Sequence, residues 1–291
     1  MTINKYLYIP LFLFYCLFLP SSCKNKPATH RIVTVSILPQ KYFVEKIAGN
    51  YLRVNVMIPP GMNPANCDLN TGQLQKLYDS DICFTIGYLP FEQTHLYPVL
   101  ERQKHIEVIN HSEGLKLLHG CCHHSHEEHQ HTGIDPHIWL SPANARKMAM
   151  TIYETLAKRY PEQQTTFQKN LENLLTDIDN IAKQAEEVFK NNRQHIFLIY
   201  HPALTYFAAD YALEQISIED EGKEPNPEHL KKIIDIAKEK KINLIFIQNQ
   251  FDVTNAESIA REINAQIIPI NPLAENWKEE LEKLIGIFSN R

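Results

Sequence analysis

No block of lysine and arginine long enough to track a phosphate backbone occurs in the 291 residues, and 29 basic against 34 acidic side chains leave a formal charge of -5. Nucleic acid is therefore not an expected partner. The chain also lacks a His-Glu-x-x-His helix and a Gly-x-Ser-x-Gly elbow, which removes the usual signatures of a zinc hydrolase and of a serine nucleophile. Long apolar runs are equally scarce. Residues 7–19, rich in Leu, Phe, Tyr and Ile, form a run too short to span a membrane as a stable helix. Lys5 is the only charged side chain among the first 23 residues, and the small-residue end Pro20-Ser21-Ser22-Cys23 reads as an export signal.

That ending resembles a bacterial lipoprotein signal, with Cys23 as the lipidated first residue, although Pro20 stands where an aliphatic residue is usual. The chain is expected outside the cytoplasm, periplasmic or at the cell surface and held to the membrane by lipid. A polar tether would follow over residues 24–30. An oxidising compartment allows Cys67, Cys83, Cys121 and Cys122 to pair. A Cys67–Cys83 bridge is one possibility that spacing cannot decide. Adjacent Cys121 and Cys122 suit metal ligation or separate pairing better than a strained vicinal bridge.

What the chain has in excess is imidazole. Residues 119–131 crowd His119, His123, His124, His126, His129 and His131 together with Cys121, Cys122 and two glutamates, with almost nothing apolar to bury. Such a tract cannot fold by hydrophobic burial, and its donors are those that borderline metals such as Zn²⁺ prefer. It reads as an auxiliary metal loop.

The rest, 44% hydrophobic and 22% charged, is ordinary globular material sufficient for two lobes. Short β-branched runs alternate with helical patterns: residues 31–37, 53–58, 82–86 and 106–109 read as strands, with helices from Pro39, from Gln73 and from about Glu92. Ser141-Pro142 predicts an N-cap with proline at the first helical position. From Pro161 a single apolar face (Phe167, Leu171, Leu174, Ile178, Ile181, Ala185, Val188) predicts one long stiff helix. Residues 196–199, 215–218, 244–247 and 267–270 supply a second set of strands. The expected fold is α/β: two lobes with mostly parallel sheets, 31–141 and 193–291, joined by the helices of 142–192.

Ligands in such sheets bind beyond the carboxyl ends of the strands. Those ends carry Pro59-Pro-Gly-Met-Asn-Pro-Ala-Asn-Cys67, Tyr200-His201-Pro202, Gln248-Asn-Gln250 and Asn271-Pro272, with the Asp135-Pro-His-Ile-Trp139 turn nearby. His137 and His201, one from each lobe, could meet in the cleft between lobes. Trp139 is expected to pack beneath the site, and Glu219-Asp-Glu221 to be a solvated acidic loop.

Asp135-Pro-His-Ile-Trp-Leu-Ser-Pro142, the strand ending in His201, Glu224-Pro-Asn-Pro-Glu-His-Leu230 and Ile268-Pro-Ile-Asn-Pro272 together resemble the zinc- and manganese-binding substrate-binding proteins of bacterial ABC importers. The resemblance runs from about Ile32 to the end and includes the His-rich insertion of zinc-type members. It implies capture of Zn²⁺, with Mn²⁺ as the alternative, delivery to a membrane permease, and no catalysis. It also implies His137 and His201 as metal ligands. Two family ligands have no counterpart: Ala65 stands in the place of a histidine and Asn271 in the place of an aspartate. Asn66, Cys67, Asp68, Asn271 or the tract histidines are the candidate replacements. A metal store or adhesin that has lost transport is the alternative reading, and a zinc hydrolase a more remote one.

Overall fold

The computed structural model describes residues 31–65, 67–120, 133–191, 195–220, 222–249, 251 and 253–289. The expected signal segment with Cys23, and most of the His-rich tract, lie outside these residues. Strands β1 (Ile32–Val35), β2 (Arg53–Val56), β3 (Ser80–Thr85) and β4 (Glu107–Asn110) are linked through helices α1 (Leu38–Ala48), α2 (Thr71–Tyr78) and α3 (Tyr97–Leu100). They pair in parallel in the order β2-β1-β3-β4. After α4 (Pro142–Arg159) and α5 (Gln164–Asn191) come β5 (Ile196–Ile199), α6 (Thr205–Asp210), β6 (Glu214–Ser217), α7 (Pro227–Glu239), β7 (Leu244–Gln248), α8 (Thr254–Ile263), β8 (Gln266–Ile270) and α9 (Trp277–Ser289). The second sheet repeats the first order, β6-β5-β7-β8, again all parallel. In each lobe the strand order reverses beside the first strand, which opens a crevice at its carboxyl end.

Local chemistry sets the helix starts. Ser141 accepts a hydrogen bond from the Asn144 amide with Pro142 in the first turn, Asn70 and Gln73 form a reciprocal capping box, and Asn226 caps α7. The connecting helix α5 packs against α1, α4 and α9, so elements of both lobes share it. At about 1.5 Å per residue its 28 residues extend roughly 42 Å. Phe167, Leu171, Leu174, Ile178, Ile181 and Ala185 are buried as expected; the next buried residue is Phe189 rather than Val188, which is only partly covered. A straight helix turns 3.6 residues per turn, so its buried face drifts off a strict seven-residue repeat.

Two further departures are local. The segment read as helical from about Glu92 begins as a π-turn, Glu92–Leu96, before α3. Glu92 is drawn fully inward, where its carboxylate accepts hydrogen bonds from Ile86 N (2.7 Å), Gly87 N (2.6 Å) and the Ser36 hydroxyl. Gly87 has φ +106°, and a Cβ there would overlap the Asn110 side chain, so only glycine fits. Together these hold the loop after β3, which carries Tyr88 and Leu89. The Cys67–Cys83 pairing is not made: both are free, buried thiols. Burial raises the Cys83 thiol far above its ordinary value, and burial followed by the Asp68 charge raises that of Cys67.

Candidate metal centre

Each histidine is aimed by a carboxylate. Asp135 Oδ1 receives both the His137 backbone amide and the His137 ring Nδ1, each at 2.7 Å. Burial opposes ionisation of Asp135, but the adjacent His137 and the hydrogen bonds from His137 and Thr205 outweigh it and hold its carboxyl below the usual value. An ionised carboxylate only accepts, so Nδ1 donates in this pair, and in the neutral ring Nε2 is the nitrogen that keeps its lone pair. His201, two residues past β5, repeats the device: its Nδ1 lies 2.8 Å from Glu219 Oε1. The His201 main chain is clasped by Gln248 at the end of β7, whose Nε2 donates to His201 O (2.7 Å) and whose Oε1 accepts from His201 N (3.3 Å).

The two rings meet edge to face across the cleft with centroids 5.2 Å apart. Two imidazoles bound through bonds of roughly 2.0–2.1 Å to one tetrahedral ion have centroids about 5 Å apart, so a single cation can bridge them. They line a cavity of about 520 Å³, together with Asn63, Pro64, Ala65, Tyr88, Leu89, Pro136, Gln248, Phe251 and Leu273. Phe251 stacks on the His201 ring at 5.5 Å. Trp139 lies beneath His137, fully buried at 5.2 Å between centroids. Its indole N–H donates to Pro272 O (2.8 Å), and that of Trp277 donates to Trp139 O (2.7 Å). Tyr206 from α6 donates to Asp135 O (2.9 Å), so the Asp-Pro-His turn is pinned to the second lobe from two sides.

Of the candidate replacements, Cys67, Asp68 and Asn271 do not join them, and Asn66 lies outside the described residues. Cys67 is in the core, with its thiol directed to Asp68 O at 3.7 Å. The Asp68 carboxylate is 94% exposed and lies 3.8 Å from His95. Asn271 caps its own loop by accepting from Leu273 N (3.2 Å) and borders a separate cavity of about 290 Å³. Among the described residues no three His, Cys, Asp or Glu side chains converge as a metal site. Of the tract, His119 is described: it pairs antiparallel with Ile134, and Gly120 N donates to Gly133 O (3.3 Å), so His119 and Gly120 lie beside Gly133 and Ile134, which line the cavity. Cys121, Cys122, His123, His124, His126, His129 and His131 lie outside the described residues.

Glu219 is the residue that sequence reading misplaced. It is buried rather than solvated, because it follows β6 as His201 follows β5, at the same edge of the sheet. Its position immediately beyond a strand's carboxyl end was the available signal; the acidic neighbours Asp220 and Glu221 masked it.

The family described as ZnuA, zinc-uptake complex component A, periplasmic, matches residues 33–290. The chain is 26% identical over 273 residues to the zinc-binding lipoprotein AdcA of Streptococcus pneumoniae strain R6, covering 91% of this chain but 54% of that protein, about half its length. It is 26% identical over 269 residues to the high-affinity zinc uptake system protein ZnuA of Bacillus subtilis strain 168, covering 87% of this chain and 82% of that one. Its fold superposes on a crystal structure of a ZnuA 138–173 deletion mutant with zinc bound, with a TM-score of 0.81 and 33% identity over 89% of this chain and 97% of that chain.

Proposed function

We propose a function from one premise: the chain belongs to the periplasmic zinc-uptake complex component A family. It is an extracytoplasmic metal-transport binding protein, not an enzyme. It captures Zn²⁺ outside the cytoplasmic membrane through Nε2 of His137 and His201 and delivers it to an ABC permease, tethered by lipid on Cys23. The observation that carries this reading is the 5.2 Å approach of two imidazoles from different lobes, each with its other nitrogen committed to a carboxylate. The stiff α5 and the Trp139–Pro272 stitch suit release by a small displacement of one lobe rather than by wide opening.

Growth under zinc chelation tests delivery. In a strain deprived of its own zinc-binding component and supplied with this chain and its permease, growth should return, and the double variant His137→Ala/His201→Ala should not restore it. Metal binding without rescue would favour a store or adhesin. The carboxylates behind the ligands give a finer test: Glu219→Ala should weaken cleft zinc binding by about 10- to 100-fold, as loss of such partners does elsewhere. Glu219→Gln should cost less, since its amide oxygen still accepts the Nδ1 proton. Equal affinities for all three proteins in a competitive zinc titration would exclude a supporting role for Glu219.

A further inference from the structure

We infer that the cleft takes its metal as a complex with a small amino-acid-type chelator, rather than as a bare ion. This rests on the cleft reading proposed above and names the form of the cargo. Three observations point to it. First, the described chain offers two nitrogen donors where a closed tetrahedral zinc site has four, because Ala65 lines the cavity without a donor atom and Asn271 is turned into its own loop. A bidentate ligand supplying one amine and one carboxylate would complete the shell.

Second, the space is far larger than a hydrated ion needs. Two waters, at about 30 Å³ each, would fill a small part of the roughly 520 Å³ present, which falls in the range of small-molecule pockets. Its walls include Leu89, Pro90, Phe251 and Leu273 and the Tyr88 ring. Such walls gain nothing from water but gain from covering the carbon skeleton of a chelator.

Third, charge selects the class. Asp135 and Glu219 stand directly behind the two imidazoles, so two carboxylates already balance a dication. No lysine or arginine is among the described lining residues. A polycarboxylate such as citrate would add uncompensated negative charge, whereas an amino acid adds at most one.

Equilibrium dialysis of the full-length chain against radiolabelled L-histidine, with and without one equivalent of Zn²⁺, tests the inference; labelled citrate serves as the second probe. Zinc-dependent retention of about one histidine per chain is expected, as a completed four-donor shell requires. Retention should fall about a hundredfold in His137→Ala or His201→Ala, as loss of one donor implies. It should also fall in Ala65→Trp, which fills the cavity from its exposed edge. Zinc bound through His137 and His201 without label would overturn the chelate inference and leave the proposed function standing. Zinc binding indifferent to both histidines would overturn both. Label retained by every variant would put the complex elsewhere on the chain, and equal retention of citrate would overturn the amino-acid class.

Discussion

Alanine at His137 or at His201, in a chain lacking residues 121–132, should weaken zinc binding about 100- to 1,000-fold. Four-donor structural zinc sites bind with apparent free energies of roughly 10–16 kcal/mol, or about 2.5–4 kcal/mol per donor, and about 1.4 kcal/mol is a factor of ten. The two imidazoles are the donors that the described residues bring together, so loss of one leaves no chelate on the protein side. Deleting residues 121–132 removes five of the six tract imidazoles and keeps His119. The pair His119–Ile134 would then be closed by Gly120-Gly133, a two-residue hairpin loop whose glycines accept positive φ. Calorimetric titration reads the result. Undiminished tight binding in both variants would remove the cleft site.

Trp139→Ala should destabilise the fold by about 3–5 kcal/mol, the range for truncating a fully buried aromatic side chain. More than packing is lost. The Trp139 indole N–H satisfies Pro272 O after β8, and Trp139 O receives the Trp277 N–H at the start of α9, so one residue before α4 closes the two lobes together. For a chain of this size each kcal/mol moves the melting temperature by about 2–4 °C, and the expected loss is roughly 10 °C. Trp139→Phe, which keeps the ring but not the donor, should lose about 1–3 kcal/mol from the unpaired Pro272 carbonyl. A melting temperature unmoved in Trp139→Ala would mean that this stitch does not stabilise the molecule. Because His137 sits on the same ring, the alanine variant should also loosen the ligand it supports.

Alternation of short apolar runs with helical periodicity was enough to read two parallel α/β lobes and the long helix between them, since burial on both faces of a strand and on one face of a helix leaves its mark within a few neighbouring residues. Ser141 announced its helix for the same local reason. The histidines of the cleft were also legible, as residues just past strand ends and within Asp135-Pro-His137. Donor chemistry misled where packing had the last word. Cys67 has a good thiol for zinc and is buried in the core; Asp68 restores charge and points to solvent; Glu219 looked solvated and lies under His201.

The amino-acid order by itself determined which segments became strands and helices and which side chains could bind a metal, because both are properties of a residue and its near neighbours. Which of those side chains meet was decided by tertiary structure alone. The 64-residue separation of His137 and His201 collapses to 5.2 Å only when two crevices, each at the carboxyl ends of a sheet, are closed over one another. Long-range burial of Trp139 and Trp277 between the lobes fixes that closure, and nothing in local periodicity encodes it.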